Sequence, residues 1–286
     1  MTAIDTRISQ PDEDTLAAEQ VVAETVEAAR AAFGSGVEAI FTLGSLAHGG
    51  FAPLVSDIDV AIILSSTSPA TGAQIDGVAR AVAETASSPL SERLSLFWGD
   101  WRAVHTGEGE YLRLGPVDRL DLLESGCLLV GSDLREPSIR PSPEELILMS
   151  ADHMLGKFTL DYLEQIRDAE TLIAGGARSV TKAILFPVRF AYTLGTRRIG
   201  LNETSALWYA DQGLRGGGLA LRALHWRREG IDDAPLAQQT LDADLLAIHA
   251  ECLAGFAEHL YAVGETVRAV ELSRRADGLR LPAPDA

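Results

Sequence analysis

Apolar residues follow two regimes along this 286-residue chain. In the first half they gather in short dense runs. Residues 37–43 and 58–64 are mostly apolar and β-favouring, as buried strands are. Glu92-Arg-Leu-Ser-Leu-Phe-Trp-Gly-Asp100 reads as a third strand with an acid at each end. A helix-like segment from about 72 to 86 separates the second and third runs, which predicts a parallel crossover. Residues 116–126 read as a helix start, with Asp118 and Asp121 favouring the positive end of the helix dipole. In the second half apolar residues recur at helical spacing through about 144–173, 177–196, 203–211, 215–229 and 242–275, with no strand pattern. Between the halves, Arg-Glu-Pro-Ser-Ile-Arg-Pro-Ser-Pro-Glu, up to Glu144, reads as a linker that ends in a helix start at Ser142-Pro-Glu-Glu. The fold class expected is α+β: a strand-containing domain over 1–140 with 1–14 disordered, an all-α helical bundle over 141–276, and a disordered tail over 277–286.

Chemistry concentrates between the first two strands. Phe41-Thr-Leu-Gly-Ser45 ends one apolar run at a small-residue turn, and Ser56-Asp-Ile-Asp59 opens the next. Gly44 has access to conformations barred to other residues, and Ser45 adds a hydroxyl and an N–H above the strand end, a plausible phosphate cradle. Strand alternation points Asp57 and Asp59 to the same face with Cα atoms roughly 6.5–7 Å apart, while Ile58 and Val60 face the core. Two like charges on an apolar strand are costly unless a cation sits between them, and Mg²⁺ bound together with substrate phosphates answers that cost. A plainer use of the same residues is a turn closed by Ser56-Asp57 with a solvated Asp59.

Composition narrows the function classes. With 47% apolar residues there is ample material for a core in each half, as in a soluble globular protein. No apolar run reaches the roughly 18 residues that cross a bilayer, and Met1 to Asp14 is polar and acidic, so neither membrane insertion nor export is expected and the compartment reads as cytoplasmic. Cys127 and Cys252 lack partner spacing for a disulfide or zinc site. The histidines do not cluster, and His48 in the loop after Ser45 reads as a polar filler. A formal charge of −17 argues against a nucleic-acid partner. Residues 1–140 carry 9 Arg and no Lys against 21 acids, and 141–286 carry 15 basic residues against 20 acids. Such a field attracts a cationic small molecule as well as Mg²⁺, although acidity of this size is also a common solubility device.

Gly44-Ser45, the gap that follows and Asp57-Ile-Asp59 resemble the signature of the DNA-polymerase-β-like nucleotidyltransferase superfamily. The resemblance implies a small mixed sheet flanked by helices and a metal-dependent transfer of a nucleoside monophosphate. Ser45 would contact the nucleotide's terminal phosphates, and Asp57 and Asp59 would hold Mg²⁺. It also implies a third acid on a neighbouring strand, assisting the metal or taking the proton of the attacking hydroxyl. Glu92, at the start of the third strand, is preferred as general base, by likeness to the aminoglycoside adenylyltransferase branch; Asp100 comes second, and Asp118 and Asp121 are explained by their helix start.

The segment from Arg178 to Gly195, followed by Thr196 to Tyr209, resembles the C-terminal helical domain of aminoglycoside adenylyltransferases. In that family basic residues of the helical domain reach across a cleft to the triphosphate, and Lys182 is the best match. Arg189 lies seven residues on and projects from the same side. A second basic residue of the family falls where this chain has Asn202, a departure that Arg189, Arg197 or Arg198 would have to compensate. Trp98, Trp101, Tyr111 and Trp208 are candidates for stacking but serve packing equally well, and Arg215-Gly-Gly-Gly-Leu219 reads as a helix connection. The expected activity is transfer of a nucleoside monophosphate, AMP from ATP by default, to a hydroxyl of a small molecule such as an aminoglycoside, with release of pyrophosphate. The alternatives are a nucleotide-binding regulatory protein of weak catalysis and a protein-adenylylating enzyme or antitoxin of the same superfamily.

Overall fold

The computed structural model describes residues 13–86 and 88–280. Most of the stretch expected to be disordered at the N-terminus, and 281–286 of the expected tail, lie outside the described residues. Glu13 and Asp14 do not belong to such a stretch: they open α1 (Glu13–Phe33), where both acids meet the positive end of the helix. Likewise 277–280 complete a helix, with Ala276 and Leu279 buried. The described residues sort into two compact units, one drawn from 13–114 and 122–139, the other from 115–121 and 140–280.

The first unit is α+β. It contains β1 (Val37–Leu43), α2 (Gly44–Ala47), β2 (Ile58–Leu64), α3 (Thr71–Thr85), a 3-10 turn at Pro89–Arg93, β3 (Leu94–Asp100), α4 (Trp101–Thr106), and β4 (Cys127–Gly131). The strands form one mixed sheet in the order β3-β2-β1-β4. β1 is antiparallel to both β2 and β4, and β2 is parallel to β3 across the α3 crossover. β2 lies inside the sheet and is buried on both faces, which is why its sequence is continuously apolar and not alternating. Its Ile58, Val60, Ile62 and Leu64 pack with Ile40 and Leu96 against Val21, Val22 and Val26 of α1 and Ile75, Val78 and Val82 of α3. Ala61 and Ile63 face the other way, with Phe41, Leu43, Val104, Leu114 and Leu122. Each fully buried aliphatic side chain contributes about 1.5–3 kcal/mol, so the strand that presents the two aspartates is among the most firmly held elements of its unit. β4 is a mostly exposed five-residue edge strand, too short to announce itself in the sequence.

The division between the units falls inside α5 (Pro116–Ser125). The second unit is helical: α6 (Pro143–Lys157), α7 (Leu160–Gln165), α8 (Ala169–Ala174), α9 (Gly176–Thr196), α10 (Asn202–Asp211), α11 (Gly217–Glu229), α12 (Ala234–Ala262) and α13 (Thr266–Arg280). Ser142 and Glu145 close a reciprocal capping box on α6, as their spacing implies. The periodic run 144–173 is three helices and not one. Thr159 and Asp168 turn their side chains onto the N–H groups of Tyr162 and Thr171 and start new helices. The run 242–275 begins earlier, at the Asp233 cap, and breaks at Gly264, whose φ of 85° lies in the left-handed region. No helix among the described residues is long and apolar enough to cross a membrane.

Candidate active site

At the end of β1 the chain must turn while lying against β2. Leu43 pairs with Asp59 across the antiparallel ladder, and the next residue, Gly44, adopts a φ of 60°. A β-carbon at Gly44 would overlap Asp59 Oδ2 and lie 3.1 Å from its Cγ. The glycine is therefore required by the aspartate: its missing side chain is the space the Asp59 carboxylate occupies. Gly44→Ala is expected to cost about 1–2 kcal/mol of folding stability from the backbone conformation alone. It should also displace the carboxylate; chemical denaturation alongside Mg²⁺ titration would separate the two losses.

Ser45 opens the single turn α2. The following loop is laced by its own backbone, with Gly50 N–H donating to Ser45 O at 2.9 Å and Ser56 N–H to Ala52 O at 2.8 Å. The buried Ser56 hydroxyl accepts from Ala52 N–H at 3.0 Å, and Arg93 donates to the Pro53 carbonyl, tying the start of β3 to this loop. Asp57 and Asp59 are partly buried, and Ile58 and Val60 between and beyond them are fully buried in the helix-side core. Alternation thus turns the Asp59 carboxylate toward the opposite face, and Asp57 lies just before the strand.

The third acid is placed differently from the two aspartates. Glu92 is exposed in the 3-10 turn leading into β3, at the end where Leu94 pairs with Ile58. Asp100 pairs with Leu64 at the other end of the strand, about 20 Å along it. Its Oδ1 accepts from Ala103 N–H at 2.8 Å, capping α4. The β3 residue in register with Asp59 is Ser95. Its hydroxyl accepts from Arg113 Nη2 at 3.4 Å, and the same guanidinium lies 5.1 Å from the Phe97 ring centre. Backbone bonds of 3.1 and 2.9 Å between Trp98 and Arg113 hold that arginine alongside β3. Among the described residues no three His, Cys, Asp or Glu side chains gather into a cation site. Two carboxylates with oxygen ligands still suit a hard divalent ion that takes its remaining ligands from phosphates and water.

In the helical unit, Lys182 Nζ lies 5.9 Å from the Phe186 ring centre. Arg189 donates through Nε to the Gly200 carbonyl, bracing the connection from α9 to α10. Arg197 caps α9 with a left-handed φ of 63°, and its guanidinium meets the His259 ring at 3.5 Å. Asn202 is the first residue of α10. Arg215 bonds the Ala243 carbonyl at 2.8 Å, and Gly216 caps α11, so the triple glycine is a helix connection. Trp101 stacks on His105 and Trp208 meets Tyr192 edge-on, both packing roles.

Compared with solved structures, the chain is similar to spectinomycin adenyltransferase AAD(9) from Enterococcus faecialis, whose crystal contains ATP and spectinomycin. The TM-score is 0.52 at 14% identity, over 79% of this chain and 98% of that one. What the two share is the fold. No protein-family model matches the sequence, and no match is found among curated proteins. Sequence reading missed Ser95, because the register that sets it beside Asp59 comes from strand pairing and leaves no local signal.

Proposed function

We propose that this chain is a nucleotidyltransferase that moves a nucleoside monophosphate, AMP from ATP, to a hydroxyl of a small molecule and releases pyrophosphate. The observation that carries this reading is Gly44 shaped around the carboxylate of Asp59, which stands at the start of a deeply buried strand with Asp57 just before it. The likeness in fold to an adenyltransferase supports it. The acidity of the first 140 residues favours a cationic acceptor such as an aminoglycoside.

In this reading Asp57 and Asp59 hold Mg²⁺, which supplies charge neutralisation to the phosphates. Gly44 and Ser45 bind the outgoing phosphates on the sheet unit, and Lys182 and Arg189 supply positive charge from the helical unit. Glu92 takes the proton of the attacking hydroxyl, a role open to an exposed carboxylate. The direct trial is pyrophosphate release from ATP with Mg²⁺ and a panel of aminoglycosides and other amino-polyols. Glu92→Gln is expected to lower turnover by about 10²-fold, the usual worth of a positioned base, and to flatten the acid limb of the pH profile. Unchanged turnover would remove Glu92 from the chemistry.

Ser95 favours a second reading, because a hydroxyl that accepts from Arg113 stands in register with Asp59 on the neighbouring strand, where the resemblance implies an acid. A nucleotide-binding regulatory protein of weak catalysis fits that substitution. Calorimetric binding of Mg²⁺ and ATP with no turnover on any acceptor would select it.

A further inference from the structure

Ser95 and Phe97 alternate on β3 with Leu94, Leu96 and Trp98, which pack with the helix-side core. Alternation sends Ser95 and Phe97 to the other face, where Phe97 joins the cluster of Phe41 and Leu114. Asp59, set between the helix-side Ile58 and Val60, faces the same way, and Ser95 is its partner in the parallel register. The Arg113 guanidinium rests on both β3 residues: Nη2 donates to Ser95 Oγ at 3.4 Å, and the guanidinium carbon lies 5.1 Å from the Phe97 ring centre. One strand spacing, about 4.8 Å, therefore separates Asp59 from the residue that carries this cation.

The arginine is held in place and keeps its charge. Two backbone hydrogen bonds with Trp98, of 3.1 and 2.9 Å, fix its main chain beside β3, and the next residue, Leu114, is buried. Arg113 itself is exposed, and among the described residues its guanidinium forms no ion pair. A hydroxyl oxygen and an aromatic face position a guanidinium without neutralising it. Most of its N–H donors are left for an oxyanion, which the planar fork takes two at a time. Residues 1–140 carry 21 acids against 9 arginines, so an arginine left without a carboxylate beside Asp59 marks a place for an anion from outside the chain. Packing explains a stem laid over Phe97; it does not explain an N–H directed at the hydroxyl in register with Asp59.

We infer that Arg113 is a catalytic residue of the sheet unit, whose guanidinium binds the non-bridging oxygens of the transferred phosphoryl group on the β3 side of Asp59. The inference rests on the nucleotidyltransferase reading. In the step it serves, the acceptor oxygen bonds to the α-phosphorus as the bond from that phosphorus to the pyrophosphate oxygen breaks. Pyrophosphate leaves with the electron pair, the hydroxyl proton passes to Glu92, and Arg113 keeps its proton throughout.

The test uses the full-length protein with Arg113→Met, which keeps an apolar stem over Phe97, and Arg113→Lys, which keeps the charge and loses the fork. Turnover on the acceptor panel is read with ATP and with the two diastereomers of ATP that carry sulfur at the α-phosphorus. Binding is read by calorimetry with Mg²⁺ and α,β-methylene ATP, which cannot be cleaved at that position. Arg113→Met is expected to lower kcat about 10²-fold, as loss of one donor to a developing charge does, and to weaken the analogue about fivefold. The ratio of rates between the diastereomers should fall about tenfold, because only a group touching those oxygens tells them apart. Arg113→Lys should stay within about tenfold of wild type in kcat. Equal thermal midpoints would show that both variants fold. A diastereomer ratio unchanged in Arg113→Met overturns the assignment even where kcat falls, since a purely structural role gives that result. If the wild type binds the analogue but transfers to no acceptor, the nucleotidyltransferase reading fails by itself; weaker analogue binding in Arg113→Met then sustains the phosphoryl contact, and unchanged binding overturns it. A wild type that does not bind the analogue ends both.

Discussion

Asp59→Asn is expected to reduce nucleotidyl transfer by about 10³-fold, the upper range for removing one preorganised partner of a developing charge, while leaving the thermal midpoint within about 3 °C of wild type. The substitution keeps the shape that Gly44 is built around and lowers the repulsion expected between carboxylates two residues apart at the start of β2. It removes half of the negative charge proposed to hold Mg²⁺. Asp57→Asn should behave in the same way, and the double variant should lose little more, because residues that act as one unit are not additive. Pyrophosphate release and Mg²⁺ calorimetry read the two losses. Turnover within tenfold of wild type in Asp59→Asn, with the fold intact, would end the proposal that these aspartates hold the metal.

The second large effect is on stability and comes from the helical unit. His249 is completely buried, with Nε2 2.8 Å from the Ala183 carbonyl oxygen and the Phe158 ring 4.8 Å away. Its Nδ1 has no hydrogen-bond partner among the described residues. Burial pushes the imidazole from 6.5 down to about 4, partly offset by the Ala183 bond. The folded protein therefore keeps His249 neutral where the unfolded chain already binds a proton. Stability is fully present above pH 6.5, falls as the pH drops below it, and stops falling from this cause below about 4. A shift of that size corresponds to about 3 kcal/mol lost across the window. His153, also held below its ordinary range, adds to the loss in the same direction. Carboxylates that are bonded in the folded state, such as Glu145 and Glu271, titrate lower, so the interval from pH 6.5 to about 5 isolates the histidines. Denaturant unfolding of wild type and His249→Phe across that interval should show a clearly shallower slope in the variant. Identical slopes would mean that His249 does not titrate as its burial implies.

Much of the sheet unit could be read from residues alone because β1 and β2 bury both faces, and only an unbroken apolar run satisfies that requirement. The helix start at Ser142 was equally legible, since a capping box is a local exchange of two hydrogen bonds. β4 escaped notice, being five residues long and largely exposed. The breaks at Thr159, Asp168 and Gly264 escaped too, because apolar periodicity continues through a bend whenever the next helix returns to the same core.

The sequence by itself determined that a buried strand opens on Asp57-Ile-Asp59 and that another ends at a glycine-serine turn, because an unbroken apolar run is a local property and needs no partner. Only the tertiary structure decided what stands next to them. Strand pairing set Ser95 and not an acid in register with Asp59, and sent Asp100 to the far end of its strand as a helix cap. Helix packing brought the chain's two lysines, 25 residues apart, onto one ring. Register and packing are relations between distant segments, fixed by how whole faces fit, and no local pattern of residues contains them.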